Sequence, residues 1–119
     1  MTRHHRAYGF GLDAEWLAEL LLRAKGYRIL ARRFAAAGGE VDLVARRGGT
    51  LIFVEVKARA GLEQALEAIT PLKRQRISRA ARAYLGRLEA LPAIIRMDAV
   101  FVSPHALPRH LENFFELDL

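Results

Sequence analysis

The sequence contains no cysteine among its 119 residues. Neither a disulfide framework nor a thiolate metal site is therefore available to the chain. This absence is consistent with a reducing cytosol, and we expect a soluble cytoplasmic protein. A chain of this length with 52% hydrophobic residues can build one core without cross-links. We expect a single domain over residues 1–119.

Long apolar runs are also missing. No stretch approaches the ~20 apolar residues that span a bilayer, so we expect no membrane segment. The N-terminal segment, Met1 to Phe10, is basic and lacks the apolar block of a signal peptide. Because this segment also lacks periodicity, we expect it to form a flexible basic arm.

Acidic residues are fewer than basic ones. The chain has 19 Lys and Arg against 13 Asp and Glu, which gives a formal net charge of +6. Such a charge favours a polyanionic partner. An arginine-rich composition also follows from a GC-rich genome and promotes solubility, so charge alone leaves both explanations open.

The segment Gly39 to Lys57 predicts a β-hairpin. Two stretches rich in Val, Leu, Ile and Phe flank the turn sequence Arg46 to Gly49, whose glycines can adopt positive φ. Alternation along a strand places Glu55 and Lys57 on one face, and Asp42 lies on the partner strand at the same end. We therefore expect two carboxylates and a lysine to lie close together.

Residues 12–25 have the periodicity of a helix, and Gly26 follows as a C-terminal stop. The predicted buried stripe comprises Leu17, Leu20, Leu21 and Ala24. Glu15 lies on the face of two further apolar residues, Ala18 and Leu22. This placement favours an inward-facing carboxylate, although a solvated carboxylate stabilised by the helix dipole is an open alternative.

Thr70 and Pro71 predict the start of a second helix, since threonine is a preferred N-cap and proline suits the first helical position. Apolar residues form one stripe as far as about Leu88: Ile77, Ala80, Ala81, Tyr84, Leu85 and Leu88. Lys73 falls within the angular range of this stripe, so we expect it to lean toward the sheet. The arginines on the other faces, including Arg74, also suit an ordinary solvated helix.

Further strands are predicted at Tyr27 to Phe34 and at Ala93 to Val102. Ala35 to Gly39 is expected to be a loose connection, and Gly61 to Ile69 a loop or one or two helical turns. Leu111 to Leu117 fits a weak edge strand or a short helix. A strand, a helix and a strand imply a parallel crossover beside the antiparallel meander. The predicted class is α/β with a mixed sheet.

The carboxylates of Asp42 and Glu55 would suit Mg²⁺ or Mn²⁺, which prefer oxygen ligands and retain waters that a phosphate oxygen can replace. Such an ion polarises a phosphodiester and activates water. Lys57 could orient that water or stabilise the developing charge, and Glu15 could add a ligand directly or through water. A plain ion pair between Lys57 and one carboxylate, which stabilises by ~0.2–1 kcal/mol, explains the same spacing.

The strand itself weighs against that simpler explanation. Leu51 and Phe53 lie on the same strand face as Glu55 and Lys57, and the opposite face is wholly apolar. We therefore expect both faces of the strand to be buried. Charge at the end of a buried face is costly unless it is paired or metal-bound.

These motifs resemble a known signature. Asp42, then Glu55 to Lys57 after a glycine-bearing turn, with Glu15 in a preceding helix, resembles the PD-(D/E)XK nuclease pattern. Four segments are similar to the YraN-like family of bacterial proteins, itself likened to archaeal Holliday junction resolvases: Gly39–Val44, Phe53–Arg59, Lys73 with Arg76–Ile77, and Arg96–Asp98. The resemblance implies a restriction-endonuclease-like core with a helix, a three-stranded antiparallel meander, a helix and a further strand.

The resemblance implies that Asp42, Glu55 and Glu15 bind Mg²⁺ or Mn²⁺ and that Lys57 is the catalytic lysine. It also implies a nucleic acid partner, with DNA favoured, and leaves a homodimer open because a junction is two-fold symmetric. Phosphate contacts are expected from the N-terminal arm and from four basic residues: Arg59, Lys73, Arg74 and Arg76.

This chain departs from the family pattern at two places. The family usually has Gly-Glu in the first helix, where this chain has Ala14 and Glu15. It also has an asparagine and an arginine where this chain has Arg33 and Ala35. The first change leaves the assignment of Glu15 intact, whereas the second removes two residues with which the family could contact a substrate.

Three functions follow as hypotheses. The first is a metal-dependent endonuclease acting on branched or otherwise structured DNA. The second is a nucleic-acid binding module of the same fold without turnover, and the third is a small interaction protein whose charge is incidental. Outside the site, we expect an Arg96–Asp98 ion pair, and we expect Trp16 to be a core or interface residue rather than a base-stacking platform. All four histidines, among them His110, are expected at the surface or termini.

Overall fold

The structure, a computed structural model, describes residues 10–58, 69–103 and 106–119. Arg59, most of Gly61 to Ile69 and all of the predicted basic arm except Phe10 lie outside these residues. Phe10 belongs to the first helix. Within the described ranges, no helix is long and apolar enough to cross a membrane.

In the described residues, five strands form one sheet, and two helices pack against it, one on each face. The elements are α1 (Phe10–Ala24), β1 (Arg28–Ala36), β2 (Gly39–Arg47), β3 (Thr50–Ala58), α2 (Pro71–Leu85), β4 (Ile94–Val102) and β5 (Arg109–Leu111). Strands β1, β2 and β3 are antiparallel, β4 is parallel to β3, and β5 is antiparallel to β4. The predicted α/β class and mixed sheet are confirmed.

The connection between β1 and β2 differs from the prediction of a loose loop. Both strands continue to a tight turn in which Ala37 and Gly38 have φ values of 56° and 79°. Two consecutive positive φ values are typical of the hairpin turn that matches the twist of paired strands. The error arose because alanine is an unusual residue at such a position. A similar correction applies to Leu111–Leu117, of which only Leu111 belongs to a strand.

Helix α1 is rotated relative to its predicted stripe. Ala14, Ala18 and Leu22 are fully buried, whereas Leu20 is 43% exposed. Small alanines let the helix approach the sheet closely, so Ala14 and Ala18 lie with Leu22 at the centre of the contact, and Leu17 and Leu21 flank it. Trp16 is 56% exposed, so it is not a core residue, and the other expected position, an interface, stays a prediction.

The ends of both helices agree with the sequence. Gly26 has a φ of 94°, and the Tyr27 amide donates to the Leu22 carbonyl oxygen at 3.0 Å, which closes α1 with a Schellman motif. The Thr70 hydroxyl accepts a hydrogen bond from the Lys73 amide at 3.2 Å and caps α2. Helix α2 ends at Leu85, slightly before the expected Leu88.

Strand β3 is buried on both faces, as predicted. Ile52 and Val54 pack toward α1, while Leu51 and Phe53 pack toward α2. Glu55 and Lys57 continue the second face and are only 3% and 7% exposed. The fold therefore holds two charged side chains at the end of an otherwise apolar layer.

Candidate active site

Strands β2 and β3 separate next to Asp42. Their paired register runs from Arg47 opposite Thr50 to Leu43 opposite Val54. Beyond this point, Asp42 Oδ2 accepts a hydrogen bond of 2.7 Å from the Val56 amide. A side-chain oxygen thus takes the role of a backbone acceptor and fixes the carboxylate between the two strands.

Glu55 is the centre of a compact charge cluster. Its Oε2 atom lies 3.2 Å from Lys57 Nζ and 2.9 Å from Lys73 Nζ. Lys57 is on the same strand two residues away, while Lys73 comes from the first turn of α2. The predicted lean of Lys73 toward the sheet is therefore confirmed.

Asp42 and Glu55 lie together rather than on opposite faces of the sheet. Burial, the negative charge of Glu55 and a hydrogen bond between the two carboxyl groups raise the pKa of Asp42 to about 7. The hydrogen bond from the Val56 amide opposes this change. Two carboxyl groups in such contact repel each other when both are ionised, so the site favours a shared proton or a bound cation.

The two lysines have opposite pKa shifts. Burial is the main factor that lowers the pKa of Lys57, and the adjacent Lys73 ammonium lowers it further. Burial also acts to lower the pKa of Lys73, but its contacts with Lys57 and Glu55 outweigh that effect and the pKa is raised. Lys73 therefore holds its proton more firmly, and Lys57 is the better candidate for an amine that exchanges one.

Glu15 approaches from the α1 side of the sheet. Its negative charge contributes to the raised pKa of Asp42, but its Oε1 atom is 3.2 Å from Nη2 and 3.3 Å from Nε of Arg33. Within the described parts of the chain, no three His, Asp or Glu side chains form a group that could hold a metal. The structure thus brings two of the three predicted ligands together, and the ligand roles of all three residues stay predictions.

Arg33 is a site residue that sequence reasoning did not identify. Its φ of 50° is in the left-handed region, which is uncommon for arginine. This conformation presents the guanidinium to Glu15 instead of continuing the strand geometry. The signal in the sequence was the departure from the family pattern at this position, since asparagine adopts positive φ more readily than arginine.

The predicted phosphate-binding residues occupy different environments. Lys73 belongs to the Glu55 cluster, whereas Arg74 lies with its guanidinium carbon 5.2 Å from the centroid of the Phe115 ring. Arg76 is exposed on α2 and lines a shallow groove with Arg79 beside the β1–β2 turn. Arg59 is not among the described residues. Among the predicted phosphate-binding residues that the structure describes, Lys73 is therefore the one with a direct contact to a site carboxylate.

Outside the candidate site, the buried carboxylate of Asp98 lies on the α1 side of the sheet, and neighbouring residues bind it. Arg96 donates to it from Nε at 3.1 Å and from Nη2 at 2.9 Å, which confirms the predicted ion pair. The Asn113 amide and His110 Nε2 contact it at 2.9 and 2.8 Å. The side chain of His110 is only 2% exposed, so its expected surface position is wrong.

The donor set at the candidate site fits a hard divalent cation. Asp42 and Glu55 offer adjacent carboxylate oxygens, and their mutual repulsion, visible in the raised pKa of Asp42, is what such a cation relieves. Glu55 also has two ammonium partners, which partly neutralise it. Asp42 is therefore the carboxylate with the greater need of a counter-ion.

Comparison with known proteins gives close relatives over almost the whole chain. A UPF0102 protein of Methylorubrum extorquens strain PA1 is 60% identical over 118 residues, covering 98% of this chain and 92% of the relative. A UPF0102 protein of Methylorubrum populi is 61% identical over the same length, with 98% and 94% covered. The protein amb4503 of Paramagnetospirillum magneticum is 50% identical over 120 residues, with 97% and 93% covered.

Among solved structures, the fold is similar to Hjc of Archaeoglobus fulgidus, a Holliday junction resolvase from an archaeal hyperthermophile. The TM-score is 0.50 with 21% sequence identity, and the match covers 86% of this chain and 71% of that chain. This likeness concerns the fold, and it agrees with the resolvase-like resemblance of the sequence. The family model of UPF0102 matches residues 14–102. With this match and these identities, the chain belongs to the uncharacterised protein family UPF0102.

Proposed function

We propose that this protein is a metal-dependent endonuclease that acts on branched or otherwise structured DNA. The observation that carries the proposal is the meeting of Asp42 and Glu55 where β2 and β3 separate, with Lys57 beside them. The similarity of the fold to a Holliday junction resolvase supports the nuclease class and the branched substrate. The net charge of +6 supports a polyanionic partner.

In this proposal, Asp42 and Glu55 hold Mg²⁺ or Mn²⁺, with Glu15 as a further ligand directly or through water. The cation supplies Lewis acidity at the phosphodiester and lowers the pKa of water. Asp42 is fixed for this task by the Val56 amide, and Glu55 by its two lysines. The carboxylates are therefore positioned before any ligand arrives, which favours catalysis.

Lys57 and Lys73 divide two tasks in the proposed reaction. Lys57 Nζ, whose pKa is lowered, accepts or returns a proton at the attacking water. Lys73 Nζ keeps its charge and stabilises the negative charge that develops on the phosphate. Arg74, Arg76 and Arg59 contact phosphates farther along the substrate. Two copies of the chain would act on the two strands of a symmetric junction, in the cytoplasm.

A second function has its own support. Glu55 already has two ammonium partners, and in the described chain no group of three His, Asp or Glu side chains is arranged around a metal. These features suit a nucleic-acid binding module of the same fold in which the carboxylates only stabilise the hairpin. Binding without cleavage distinguishes this function from the first.

The test is cleavage of linear, forked and four-way-junction DNA in Mg²⁺, Mn²⁺ or EDTA. Wild type should cut branched DNA in the presence of either cation and not in EDTA. Asp42→Asn and Lys57→Met should each reduce the rate by at least about 100-fold, because the first removes a proposed metal ligand and the second removes the amine that exchanges a proton with the water. Arg109→Gln, on edge strand β5 and away from the site, should leave the rate unchanged.

Each other outcome has a defined meaning. Cleavage that neither variant reduces would refute the assignment of the site. Salt-sensitive binding of junctions without cleavage in any cation would support the binding module. If wild type binds none of the three DNAs, the remaining explanation is an interaction protein with incidental charge. Sedimentation of the protein with and without a junction tests whether two copies assemble.

A further inference from the structure

A groove of about 470 Å³ lies between α1 and the outer edge of the sheet at β1. Trp16 and Leu20 form its apolar part and are 56% and 43% exposed. Because helix positions four apart lie on one face, these two side chains make a continuous apolar strip along α1. An exposed tryptophan is uncommon enough on a small domain to need an explanation.

The same groove carries charged side chains that favour an anionic partner. Arg23, Arg32 and Arg33 line it together with Glu15 and Glu19, so guanidinium groups exceed carboxylates. Glu19 holds Arg32 tightly, with Nε to Oε2 at 2.6 Å. Its contact with Arg23 is long, at 3.8 Å, and the Arg23 side chain is 55% exposed. Arg23 therefore has donors available for a phosphate.

The groove lies next to the candidate active site at Glu15. This residue lines the groove, and its charge also reaches Asp42. Along the helix axis, the distance from Glu15 to Arg23 is about 12 Å at 1.5 Å per residue. A chain of a few nucleotides that leaves the site along α1 would therefore pass Trp16 before it reaches Arg23.

We propose that this groove binds an unpaired nucleotide of the substrate, with its base stacked on Trp16 and a neighbouring phosphate on Arg23. An indole ring beside exposed guanidinium groups is the combination that single-stranded nucleic acids require, since bases stack on aromatic faces and cations hold the backbone. The position of the groove beside the site rests on the proposed nuclease function. The binding itself does not require cleavage.

Trp16 is the sole tryptophan of the chain, so its fluorescence reports directly on this groove. The experiment titrates the protein in EDTA with single-stranded oligo(dT) and oligo(U) of about 8 nucleotides and with a blunt duplex of similar length. Both single strands should quench the tryptophan, and the duplex should quench it far less. An oligo(dU) arm, which has the base of oligo(U) and the sugar of oligo(dT), separates an effect of the 2′-hydroxyl from one of the thymine methyl.

Affinity is measured in parallel by the anisotropy of a labelled oligo(dT). Trp16→Ala should weaken binding by about 5- to 100-fold, the range for loss of one stacked base, and Trp16→Phe should restore part of it. Arg23→Gln should weaken binding and reduce its salt dependence. Leu91→Ala, at a leucine that is 68% exposed outside the groove, and Arg109→Gln are the apolar and charge controls, and both should stay within about 2-fold of wild type.

Three results would overturn the proposal. The first is that wild type does not bind oligo(dT) or shows no quenching. The second is that the duplex quenches as strongly as the single strands, and the third is that Trp16→Ala binds like wild type. If Trp16→Ala and Leu20→Ala instead change the sedimentation of the protein equally, the strip is an interface between copies. All these measurements are made in EDTA and require no cleavage. They therefore test the groove even if the protein is not a nuclease.

Discussion

Asp42 serves two interactions that make opposite demands on its charge. The Val56 amide donates to it and favours the ionised form, whereas the adjacent Glu55 and burial favour the neutral form. The second effect is larger, since the pKa rises from 3.8 to about 7. A carboxylate in this position is costly to the fold without a cation and useful only if a cation or substrate arrives.

The first prediction follows from the sign of this shift. The pKa of Asp42 is higher in the folded state than in the unfolded state. The carboxyl group therefore stabilises the fold fully below pH 3.8, and this stabilisation is lost as the pH rises through about 7. Asp42→Asn keeps an oxygen for the Val56 amide but carries no charge. In EDTA at pH 8 it should be more stable than wild type by about 1–3 kcal/mol, and at pH 4 nearly equal to it.

Urea unfolding of both proteins at several pH values measures this difference. Addition of Mn²⁺ at pH 8 should raise the midpoint of wild type and leave Asp42→Asn almost unchanged. Glu40→Gln, on an exposed residue of the same strand, is the charge-matched control. A variant that is less stable than wild type at pH 8 in EDTA would contradict the repulsion between Asp42 and Glu55.

Asp98 has the opposite dependence on pH. Burial acts to raise its pKa, but hydrogen bonds from His110, Arg96 and the Asn113 amide outweigh burial, and the pKa is lowered below 3.8. The stability that these bonds provide is present above pH 3.8 and is lost as the pH falls through the lower folded-state value. We expect Asp98→Ala to lose about 3–5 kcal/mol at pH 7, because it leaves Arg96 without its buried partner.

The measurement is urea unfolding at pH 7 and at pH 3. The penalty of Asp98→Ala should shrink at the lower pH, where wild type begins to lose the same bonds. Asp118→Ala, which removes a carboxylate whose side chain is 92% exposed, should change stability by less than about 0.5 kcal/mol. A penalty for Asp98→Ala that is equal at both pH values would show that packing, and not charge, dominates at this position.

At the scale of elements, the contact between the start of β2 and helix α2 limits one position to glycine. A Cβ on Gly39 would overlap the carbonyl oxygen of Arg76 and lie 3.1 Å from the Ala80 nitrogen. Because both contacts are with helix backbone, the strand or the helix would have to move. We expect Gly39→Ala to destabilise by about 3 kcal/mol or more in thermal or urea unfolding.

Gly49 provides the matched control for this substitution. A Cβ there would lie 3.5 Å from the Ala93 Cβ, an ordinary contact, and its φ is outside the positive range. Gly49→Ala should therefore change stability by less than about 1 kcal/mol. Similar losses for the two variants would mean that the close approach of β2 to α2 can relax.

The apolar periodicity of the sequence predicted most helices and strands, because each element buries the faces that pack against its neighbours. Strand β3 alternates between two apolar layers and helix α2 has one buried stripe, so both were predicted correctly. The buried face of helix α1 was predicted with the wrong rotation, because Ala14 and Ala18 lie at the centre of the contact and alanine is only weakly hydrophobic. The turn at Ala37 was missed because its positive φ is set by the twist of two strands and not by the residue.

The candidate site was predicted only in part. Parity placed Glu55 with Lys57, and helical angle brought Lys73 to them, because both rules depend on regular backbone geometry. The insertion of Asp42 between separating strands and the left-handed conformation of Arg33 depart from regular geometry. No period in the sequence encodes such departures, which is why the Arg33–Glu15 contact was not predicted.

At the scale of the whole molecule, the chain carries a net charge of +6. Helix α2 presents Arg74, Arg76 and Arg79 outward, and Lys73 at its first turn points to the site. A DNA that reaches Asp42 and Glu55 would therefore pass this helix. Each phosphate that an exposed arginine neutralises releases counterions, so the affinity falls with salt by a slope of about −0.9 per contact.

The last prediction is that this slope can be reduced one arginine at a time. Arg76→Gln and Arg79→Gln should each weaken binding of a four-way junction and reduce the magnitude of the slope by about 1, while the double variant reduces it by about 2. Both residues are exposed, so the fold should not change. Anisotropy titrations at several salt concentrations measure the slope. Arg109→Gln, on the opposite edge, should leave it unchanged, and an equal reduction in this control would place the DNA elsewhere.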